Sequence, residues 1–433
     1  MLKKSMVLII AMVMVFSMAA CASNNNASKP ENGGSSNTPN NSNNGNTGEN
    51  AEAPALAPEE GAKLLVWDDP AEIEYTKAVA QAFEEKYGVP VTVEGVPAPD
   101  QANELANRGP ALLGADVVMF PHDKLGIAAS SGLILPNDVF AEETIASNAE
   151  AAILASSFED RLYGYPKSIE TYALLYNKDL VTELPETFEE LAAFAEEFTD
   201  KDARKYGLMW EAKSLYYNHM FMAPYGGYIF GNNGTDINDI GLDNAGSVEG
   251  IKYYQELSKI LPVNVDDITS DVKNQLFQEN KLAFNIDGPW AVGSHKGKVN
   301  FGVMPLPKLP NGKEPVTLSG VRSYYVNSYT EYPNASKLFA SFATNKENAL
   351  LNFEMTGILP ANTEASEDPK IKEDEILSGY IEQFKHSVPM PSVPEMNSVW
   401  EPLQGAFTAV WDDGADVEQS LNNAVKTLKE KIQ

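Results

Sequence analysis

Carboxylates are the most numerous side chains in this chain that could take part in acid–base chemistry. The sequence has 61 Asp and Glu residues. A pair such as Asp123 and Glu170 could supply the acid and the base that hydrolyse a glycosidic bond. With so many acidic residues, however, a pair of this kind can be found almost anywhere in the chain. The carboxylates alone are therefore weak evidence for a secreted glycoside hydrolase, which is only a remote alternative function for this chain.

Patterns typical of metal and phosphate sites are missing from the sequence. Glycine-containing segments at 226–228 and 232–234 lack the Lys-Ser/Thr that follows a phosphate loop. The acidic loop 235–239 lacks the twelve-residue calcium pattern and its closing Glu. The four histidines are dispersed, without paired metal-ligand spacing: His122, His219, His295 and His386. We expect neither a metal nor a cofactor.

The single cysteine, Cys21, ends an export signal. Two lysines precede an apolar run over 6–16, and two alanines stand directly before the cysteine. The run is shorter than the about 20 residues that span a bilayer. This order resembles the lipobox of bacterial lipoproteins, although Met18 stands where leucine is usual. The resemblance implies a signal peptide over 1–20 and a lipid on Cys21, and an ordinary cleaved signal is the alternative.

A polar, low-complexity tract follows the cysteine. Residues 21–60 are rich in Asn, Ser and Gly and offer little apolar surface to bury, so we expect a disordered linker that tethers the body to the membrane. About 370 residues remain, enough for two domains. One cysteine excludes intrachain disulfides, so stability must come from a large core.

The charge of the chain limits its partners. The formal net charge is −29 at pH 7, and such a surface repels phosphate backbones, so we expect no nucleic-acid partner. It also argues against polybasic attachment to anionic lipid. The lipid on Cys21 is then the expected membrane anchor.

The body opens with alternating strands and a helix. Asp69 can cap that helix, Pro70 suits its first position, and Glu72 completes a capping box. Apolar runs predict strands at 63–67, 91–96 and 115–120, and a similar alternation recurs with strands at 208–210 and 283–286. The pattern predicts two α/β units with parallel sheets covered by helices, and a ligand crevice at the carboxyl ends of the strands.

From residue 63 to 431 the chain is similar to bacterial maltose/maltodextrin-binding proteins, the solute receptors of ABC importers. Each matching segment is weak alone, but together they occur in the family's order and at similar spacing. They are 116–124, 165–170, 175–180, 243–246, 287–290 and 390–396.

The resemblance implies an α/β fold of the two-lobed periplasmic-binding type (type II, the "Venus flytrap"). Its lobes are discontinuous and joined by a hinge that the chain crosses three times. The expected crossings lie near 169–172, 317–321 and 369–372. The expected N-terminal lobe is 62–170 with 322–370, and the expected C-terminal lobe is 171–318 with 371–433.

The resemblance also implies a sugar site lined by aromatic rings, which stack on the apolar faces of a sugar. Tyr216, Trp290 and Trp400 match family stacking positions in the second lobe. Phe120 stands in the first lobe where the family usually has Trp. Tyr217 is the alternative to Tyr216. Of the other tryptophans, Trp67 and Trp411 are expected in the core, and Trp210 is expected near the cleft.

Charged groups are expected to bind the sugar hydroxyls. Asp123, Lys124 and Glu170 match family positions that do so, since charge-assisted hydrogen bonds are strong when buried. Asp68 lies in a loop that family sites use, and Arg322 is a further candidate. The chain departs from the family at three nearby positions, Ser214, Glu401 and Gln404, which puts the preferred sugar in doubt.

The sequence therefore predicts an extracytoplasmic receptor, without enzymatic activity, that binds maltose or maltodextrins between its lobes. It would deliver them to the permease subunits of an ABC importer. We expect a monomer held by lipid at a cell membrane, on a Gram-positive surface. A receptor of the same type for cyclodextrin or another oligosaccharide is the alternative.

Overall fold

The computed structural model describes residues 56–433. The export signal, Cys21 and nearly all of the linker lie outside these residues. The strands are β1 (Leu64–Asp68), β2 (Val91–Gly95), β3 (Val117–Pro121), β4 (Ile134–Leu135), β5 (Ser157–Phe158), β6 (Arg161–Leu162), β7 (Tyr165–Glu170), β8 (Ala173–Asn177), β9 (Tyr206–Met209), β10 (Asp236–Ile240), β11 (Leu282–Asp287), β12 (Phe301–Met304), β13 (Thr317–Asn327) and β14 (Ser387–Pro389).

The helices cover the faces of the sheets. They are α1 (Ile73–Tyr87), α2 (Gln101–Arg108), α3 (Leu125–Ser130), α4 (Ala141–Ser147), α5 (Glu150–Ala155), α6 (Phe188–Phe198), α7 (Leu215–Met222), α8 (Gly231–Gly234), α9 (Ala245–Leu257), α10 (Ser270–Gln278), α11 (Val292–His295), α12 (Pro333–Ala343), α13 (Lys346–Thr356), α14 (Thr363–Ser366), α15 (Pro369–Lys372), α16 (Glu375–Phe384), α17 (Trp400–Asp412) and α18 (Val417–Ile432). Within residues 56–433, none of them is both long and apolar enough to cross a bilayer.

The larger sheet has seven strands, in the order β14-β13-β3-β1-β2, with β4 and β7 also paired to β13. β1 is parallel to β2 and β3, as predicted. The prediction of a purely parallel sheet was wrong, because β13 runs antiparallel to β3 and β7. Helical crossovers make consecutive strands parallel, but β13 enters from a distant part of the chain and is free of that constraint.

The smaller sheet has four strands in the order β12-β8-β11-β9. β9 and β11 are parallel and correspond to the two strands predicted in the second half of the chain. β8 is antiparallel to both of its neighbours, β11 and β12. This sheet is therefore also mixed rather than parallel.

Each sheet carries its own apolar core. Successive side chains of a strand point to opposite faces, so Val66 and Met119 pack below helices α1 and α12, whereas Trp67 and Val118 pack on the other face. All five residues of β3 are buried, as its continuous apolar run predicted. The largest cluster surrounds the smaller sheet.

The chain passes between the two sheets more than once. β7 of the larger sheet ends at Glu170 and β8 of the smaller sheet begins at Ala173. Farther on, β13 lies in the larger sheet, and α16 then packs on β12 of the smaller one. The protein thus has two lobes, each built on one sheet. The lobe limits given above remain a proposal, and β14, inside the expected second lobe, pairs with the start of β13 in the larger sheet.

The start of the first helix differs from its prediction. Asp69 does cap, with a carboxylate that accepts the N–H of Ala71, but it caps a single 3₁₀ turn over Pro70–Glu72. Helix α1 begins only at Ile73. Glu72 makes no capping-box contact, because its side chain is buried and paired with basic groups of other strands.

Candidate functional site

Asp123 and Lys124 lie at the carboxyl end of a central strand. β3 ends at Pro121 and continues into one 3₁₀ turn, His122–Lys124. The Asp123 Oδ2 and Lys124 Nζ atoms are 3.4 Å apart, and both side chains are almost completely buried. Lys124 Nζ also donates to Asn397 Oδ1 at 3.0 Å. Charged side chains at this edge of an α/β sheet are typical of a ligand site.

Glu170 ends β7 and lies beside a buried arginine. Its Oε2 is 2.7 Å from Arg322 Nε. Burial raises the pKa of Glu170, and the charge of Arg322 opposes that shift. The pair therefore places two charged groups at the boundary between the lobes.

A tight turn positions Trp290 in the second lobe. β11 ends at Asp287, whose carboxylate accepts the N–H of Gly288 at 2.8 Å, and a 3₁₀ turn then runs from Pro289 to Ala291. The indole folds back over Gly288 so closely that a β-carbon there would overlap the ring. Glycine at this position is what allows Trp290 to adopt this orientation.

Tyr216 lies beside Trp290. It belongs to the first turn of α7, and the two ring centroids are 6.2 Å apart. Burial raises the pKa of Tyr216 well above its usual value, and the nearby carboxylate of Glu170 contributes. Tyr217, the alternative, is instead packed against Tyr172 in the core, with its hydroxyl 3.3 Å from Asp287.

Trp400 is the first residue of α17 and faces Lys124 of the other lobe. The Lys124 Nζ atom lies 5.5 Å from the indole ring of Trp400. A cation at this distance from an indole face is attracted to it. Trp400 therefore borders the same interlobe region as the Asp123–Lys124 turn.

Beside Glu170 Oε2 and Arg322 Nε, which are ion-paired with each other, three further buried polar atoms in this region have no hydrogen-bond partner within residues 56–433. They are Asp123 Oδ1, Tyr216 OH and Trp400 Nε1. Buried polar atoms in proteins are nearly always paired. One acceptor, one donor and one hydroxyl are thus available beside aromatic faces, which suits a ligand that has apolar faces and a hydroxyl rim.

The lobes touch each other over this region. His122 Nδ1 accepts the N–H of Val321 at 3.1 Å, so its Nε2 carries the proton and donates to the Met390 carbonyl at 2.9 Å. Gly126 of α3 lies against Ser392 so closely that a β-carbon would overlap its carbonyl. The lobes are thus in direct contact at His122 and at Gly126.

Two predicted site residues are corrected by the structure. Phe120 has no exposed surface, because Tyr325 stacks face to face on its ring with centroids 4.0 Å apart. Asp68 is also fully buried, and its oxygens accept from Lys167 Nζ at 2.8 and 3.0 Å. Both residues therefore leave the proposed site.

The other tryptophans and two of the departures from the family lie outside the proposed site. Trp67 and Trp411 lie in the core, as predicted, and Trp210 is also fully buried there rather than at the cleft. Among the departures from the family, Glu401 pairs with Lys431 at the surface, and Gln404 is exposed. Within residues 56–433, no group of three His, Cys, Asp or Glu side chains could hold a metal ion.

Buried His219 makes stability depend on pH. Its Nδ1 bonds to the Val316 carbonyl at 2.9 Å, and burial lowers its pKa from 6.5 to about 4. The unfolded state then binds more protons, so the contribution of His219 is complete above about pH 6.5 and is lost as the pH falls towards 4. We expect the difference in unfolding free energy between wild type and His219→Asn to fall by about 3 kcal/mol over this range.

Urea unfolding of both proteins at several pH values measures that difference. Asparagine keeps a donor for Val316 and does not titrate, so it removes only the pH-dependent part. A difference that stays constant from pH 6.5 to 4 would contradict a neutral, buried His219.

Comparisons with known proteins place the chain in a family. The sequence model of the family described as bacterial extracellular solute-binding protein matches residues 78–379. The galactooligosaccharide-binding protein of Bacillus subtilis is 34% identical over 89% of this chain and 93% of its own length. A maltooligosaccharide ABC transporter solute-binding lipoprotein of Streptococcus pneumoniae is 32% identical over 89% of this chain and 92% of its own length.

A solved structure agrees with the fold. The crystal structure of a cyclo/maltodextrin-binding protein complexed with maltotetraose has a TM-score of 0.70 and 38% sequence identity, over 86% of this chain and 97% of that one. The fold is therefore the type II periplasmic-binding fold. The chain belongs to the bacterial extracellular solute-binding proteins.

Proposed function

We propose that this protein is a maltodextrin receptor that delivers its ligand to the permease subunits of an ABC importer. The observation that supports the proposal is the contact between second-lobe rings and first-lobe cations, Trp290 with Arg322 and Trp400 with Lys124. The second lobe supplies the rings of Tyr216, Trp290 and Trp400, and the first lobe supplies charged groups. The names of the relatives from Streptococcus pneumoniae and of the cyclo/maltodextrin-binding protein support α-glucans as the ligand class.

Binding would follow from the two surfaces of a glucose unit. Its C–H faces stack on the second-lobe rings while the lobes are apart. Hinge closure then brings Asp123, Lys124 and Glu170 to the hydroxyl rim, and each charge-assisted bond contributes about 1.5–3 kcal/mol. The ligand favours the closed form only through these added contacts.

The protein would act without catalysis. Its family consists of solute-binding proteins, and Glu170, one member of the candidate acid–base pair, is bound to Arg322. Incubation with maltotetraose, followed by an assay for new reducing ends, tests this point. Sustained release of reducing ends would favour the hydrolase alternative.

Attachment to the membrane would be through Cys21. In this proposal the signal peptide 1–20 is removed, lipid is added to the cysteine, and the linker 21–60 lets a monomeric body reach substrate at a Gram-positive cell surface. Labelling of expressing cells with radioactive palmitate tests the anchor. Wild type is expected to incorporate label, and Cys21→Ser is expected to incorporate none.

Calorimetric titration tests the ligand class. We expect maltotriose and maltotetraose to bind with micromolar or lower dissociation constants, which correspond to about −8 kcal/mol or better. The panel should also contain maltose, a cyclodextrin and cellotetraose, whose β-linked units present the same groups with a different curvature. Failure of every α-glucan to bind would contradict the proposal.

A galactooligosaccharide is the second candidate ligand. The Bacillus subtilis relative named for that ligand class is 34% identical over 89% of this chain. Galactose differs from glucose in the orientation of its fourth hydroxyl, so a site that hydrogen-bonds this group will separate the two sugars strongly. Titration with galactotetraose beside maltotetraose decides between them.

The turn at Gly288 gives a prediction that does not alter any group in contact with sugar. Gly288→Ala is expected to weaken maltotetraose binding about tenfold or more, because the added methyl group would displace the overlying Trp290 ring. Gly405→Ala is the control, since its β-carbon would meet open space in α17. Titration of both variants measures the effect, and equal affinities would show that the orientation of Trp290 is unimportant.

A further inference from the structure

Arg322 is an unusual residue of this chain. Of the four arginines in the sequence, the other three are exposed: Arg108, Arg161 and Arg204. Arg322 lies in β13 and is only 6% exposed. Its Nη1 donates to Glu72 Oε1 at 2.9 Å, and its Nε lies 2.7 Å from Glu170 Oε2. Two carboxylates thus lie beside the guanidinium group, one hydrogen-bonded and one ion-paired.

Glu72, which accepts from Arg322, is itself ion-paired through its other oxygen. Its Oε2 lies 2.7 Å from Lys167 Nζ, and Lys167 donates to both oxygens of Asp68. Asp68 in turn accepts from the hydroxyl groups of Thr76 and Tyr324. A continuous series of buried ion pairs therefore connects the first-lobe core to Arg322. Groups supported in this way have a fixed geometry before a ligand arrives.

The guanidinium group of Arg322 faces the other lobe. Its Cζ lies 5.0 Å from the ring centroid of Trp290. Tyr216 is close enough that the charge of Arg322 affects the pKa of its hydroxyl group. Nη1 donates to Glu72 and Nε is ion-paired with Glu170, whereas Nη2 makes no hydrogen bond within residues 56–433.

We propose that Arg322 is a specificity-determining residue, which donates from its guanidinium group to a hydroxyl oxygen of the sugar unit stacked on Trp290. The inference rests on the proposed function. A sugar unit that enters between the lobes replaces the contact of Arg322 with the indole by hydrogen bonds to its own rim. Arginine has donors only, so its partner must be an oxygen with a free lone pair.

Specificity follows from the cost of an unpaired charge. A sugar that lacks the accepting hydroxyl leaves a buried, charged donor without its partner, which a protein site disfavours strongly. The ring of Trp290, by contrast, accepts the C–H face of many sugars. Trp290 would thus supply affinity, and Arg322 would select the unit that lies on it.

The test combines protein and ligand changes. Arg322→Lys keeps the positive charge and removes the planar, fixed donors. Arg108→Lys is the matched control, because Arg108 also stacks on an indole, that of Trp67 at 5.4 Å, and pairs with Glu104 at a distance from the site. Calorimetry measures the binding of maltotetraose and of its monodeoxy analogues to each protein.

We expect Arg322→Lys to weaken maltotetraose binding about tenfold or more, and Arg108→Lys to leave it unchanged. In wild type, at least one monodeoxy analogue should bind about tenfold more weakly than the parent sugar. In Arg322→Lys, that same analogue should bind less than about threefold more weakly than the parent sugar. The protein change has then already removed the interaction that the missing hydroxyl makes in wild type.

A purely structural role of Arg322 gives a different result. The variant would then bind all sugars more weakly by one factor and keep the wild-type discrimination between parent and deoxy sugars, which overturns the inference. If Arg322→Lys does not fold, side-chain NMR of the wild type decides, because Arg322 is the buried one of only four arginines. Maltotetraose should shift its Nη resonances, and unshifted resonances at saturation overturn the inference.

The two proposals fail separately. If wild type binds maltotetraose but Arg322→Lys keeps the wild-type affinity and discrimination, only the proposed role of Arg322 is rejected. Wild type that binds no maltodextrin removes the proposed function and the inference that rests on it.

Discussion

Trp290→Ala and Trp400→Ala should each weaken maltotetraose binding about tenfold or more, a loss of about 1.4 kcal/mol or above. Each indole lies at the interlobe region and faces a first-lobe cation, Arg322 in one case and Lys124 in the other. Truncation removes the flat apolar face on which a sugar ring would stack. Calorimetric titration of the two variants measures the loss.

The control for these variants is a surface aromatic residue outside the site. Phe384 on α16 is 36% exposed, so Phe384→Ala removes a ring of similar size with little effect on the core. All three variants should unfold at temperatures close to wild type. If Trp290→Ala and Trp400→Ala both keep wild-type affinity, neither indole belongs to the sugar site.

Lys167→Met should lower the unfolding free energy by about 3–5 kcal/mol. Lys167 is fully buried and pairs with Asp68 at 2.8 Å and Glu72 at 2.7 Å. Burial opposes the charge of Lys167, but these two carboxylates outweigh it and raise its pKa above the usual value. Removal of the amine leaves negative charge buried without its partner.

Urea unfolding monitored by circular dichroism measures the effect. Lys77→Met is the matched control, because Lys77 pairs with Glu74 at 2.8 Å on the exposed face of α1. Exposed pairs contribute at most about 1 kcal/mol. A loss of less than 1 kcal/mol for Lys167→Met would show that the charge network does not stabilise the first lobe.

Local pattern was sufficient for much of the fold. The apolar runs predicted strands within two residues of β1, β2 and β3, and Gly88 does end α1, with a φ of 69°. These features depend on neighbouring residues only. The direction of β13 was not predictable in this way, because it depends on partners 150 or more positions away in sequence.

The errors in the candidate site have the same origin. Phe120 looked available because it ends an apolar strand, but Tyr325 of β13 covers its ring. Asp68 looked like a loop residue, but Lys167 of β7 neutralises it in the core. Both partners come from strands that are remote in sequence and adjacent in space.

The charge network has a signature in the sequence. Lys167 and Arg322 each stand inside a strand whose neighbours are buried. A basic residue seldom lies in such a position unless it is paired. Two such residues could have predicted the buried ion pairs, although not their contact with the second lobe.

A crystal structure of the protein grown with maltotetraose tests most directly whether aromatic faces between the lobes hold an α-glucan. We expect glucosyl rings against Trp290 and Trp400 at about 4 Å, with hydroxyl oxygens within about 3.2 Å of Asp123, Lys124 or Glu170. A sugar bound elsewhere on the surface, with both indoles still covered by Arg322 and Lys124, would contradict this.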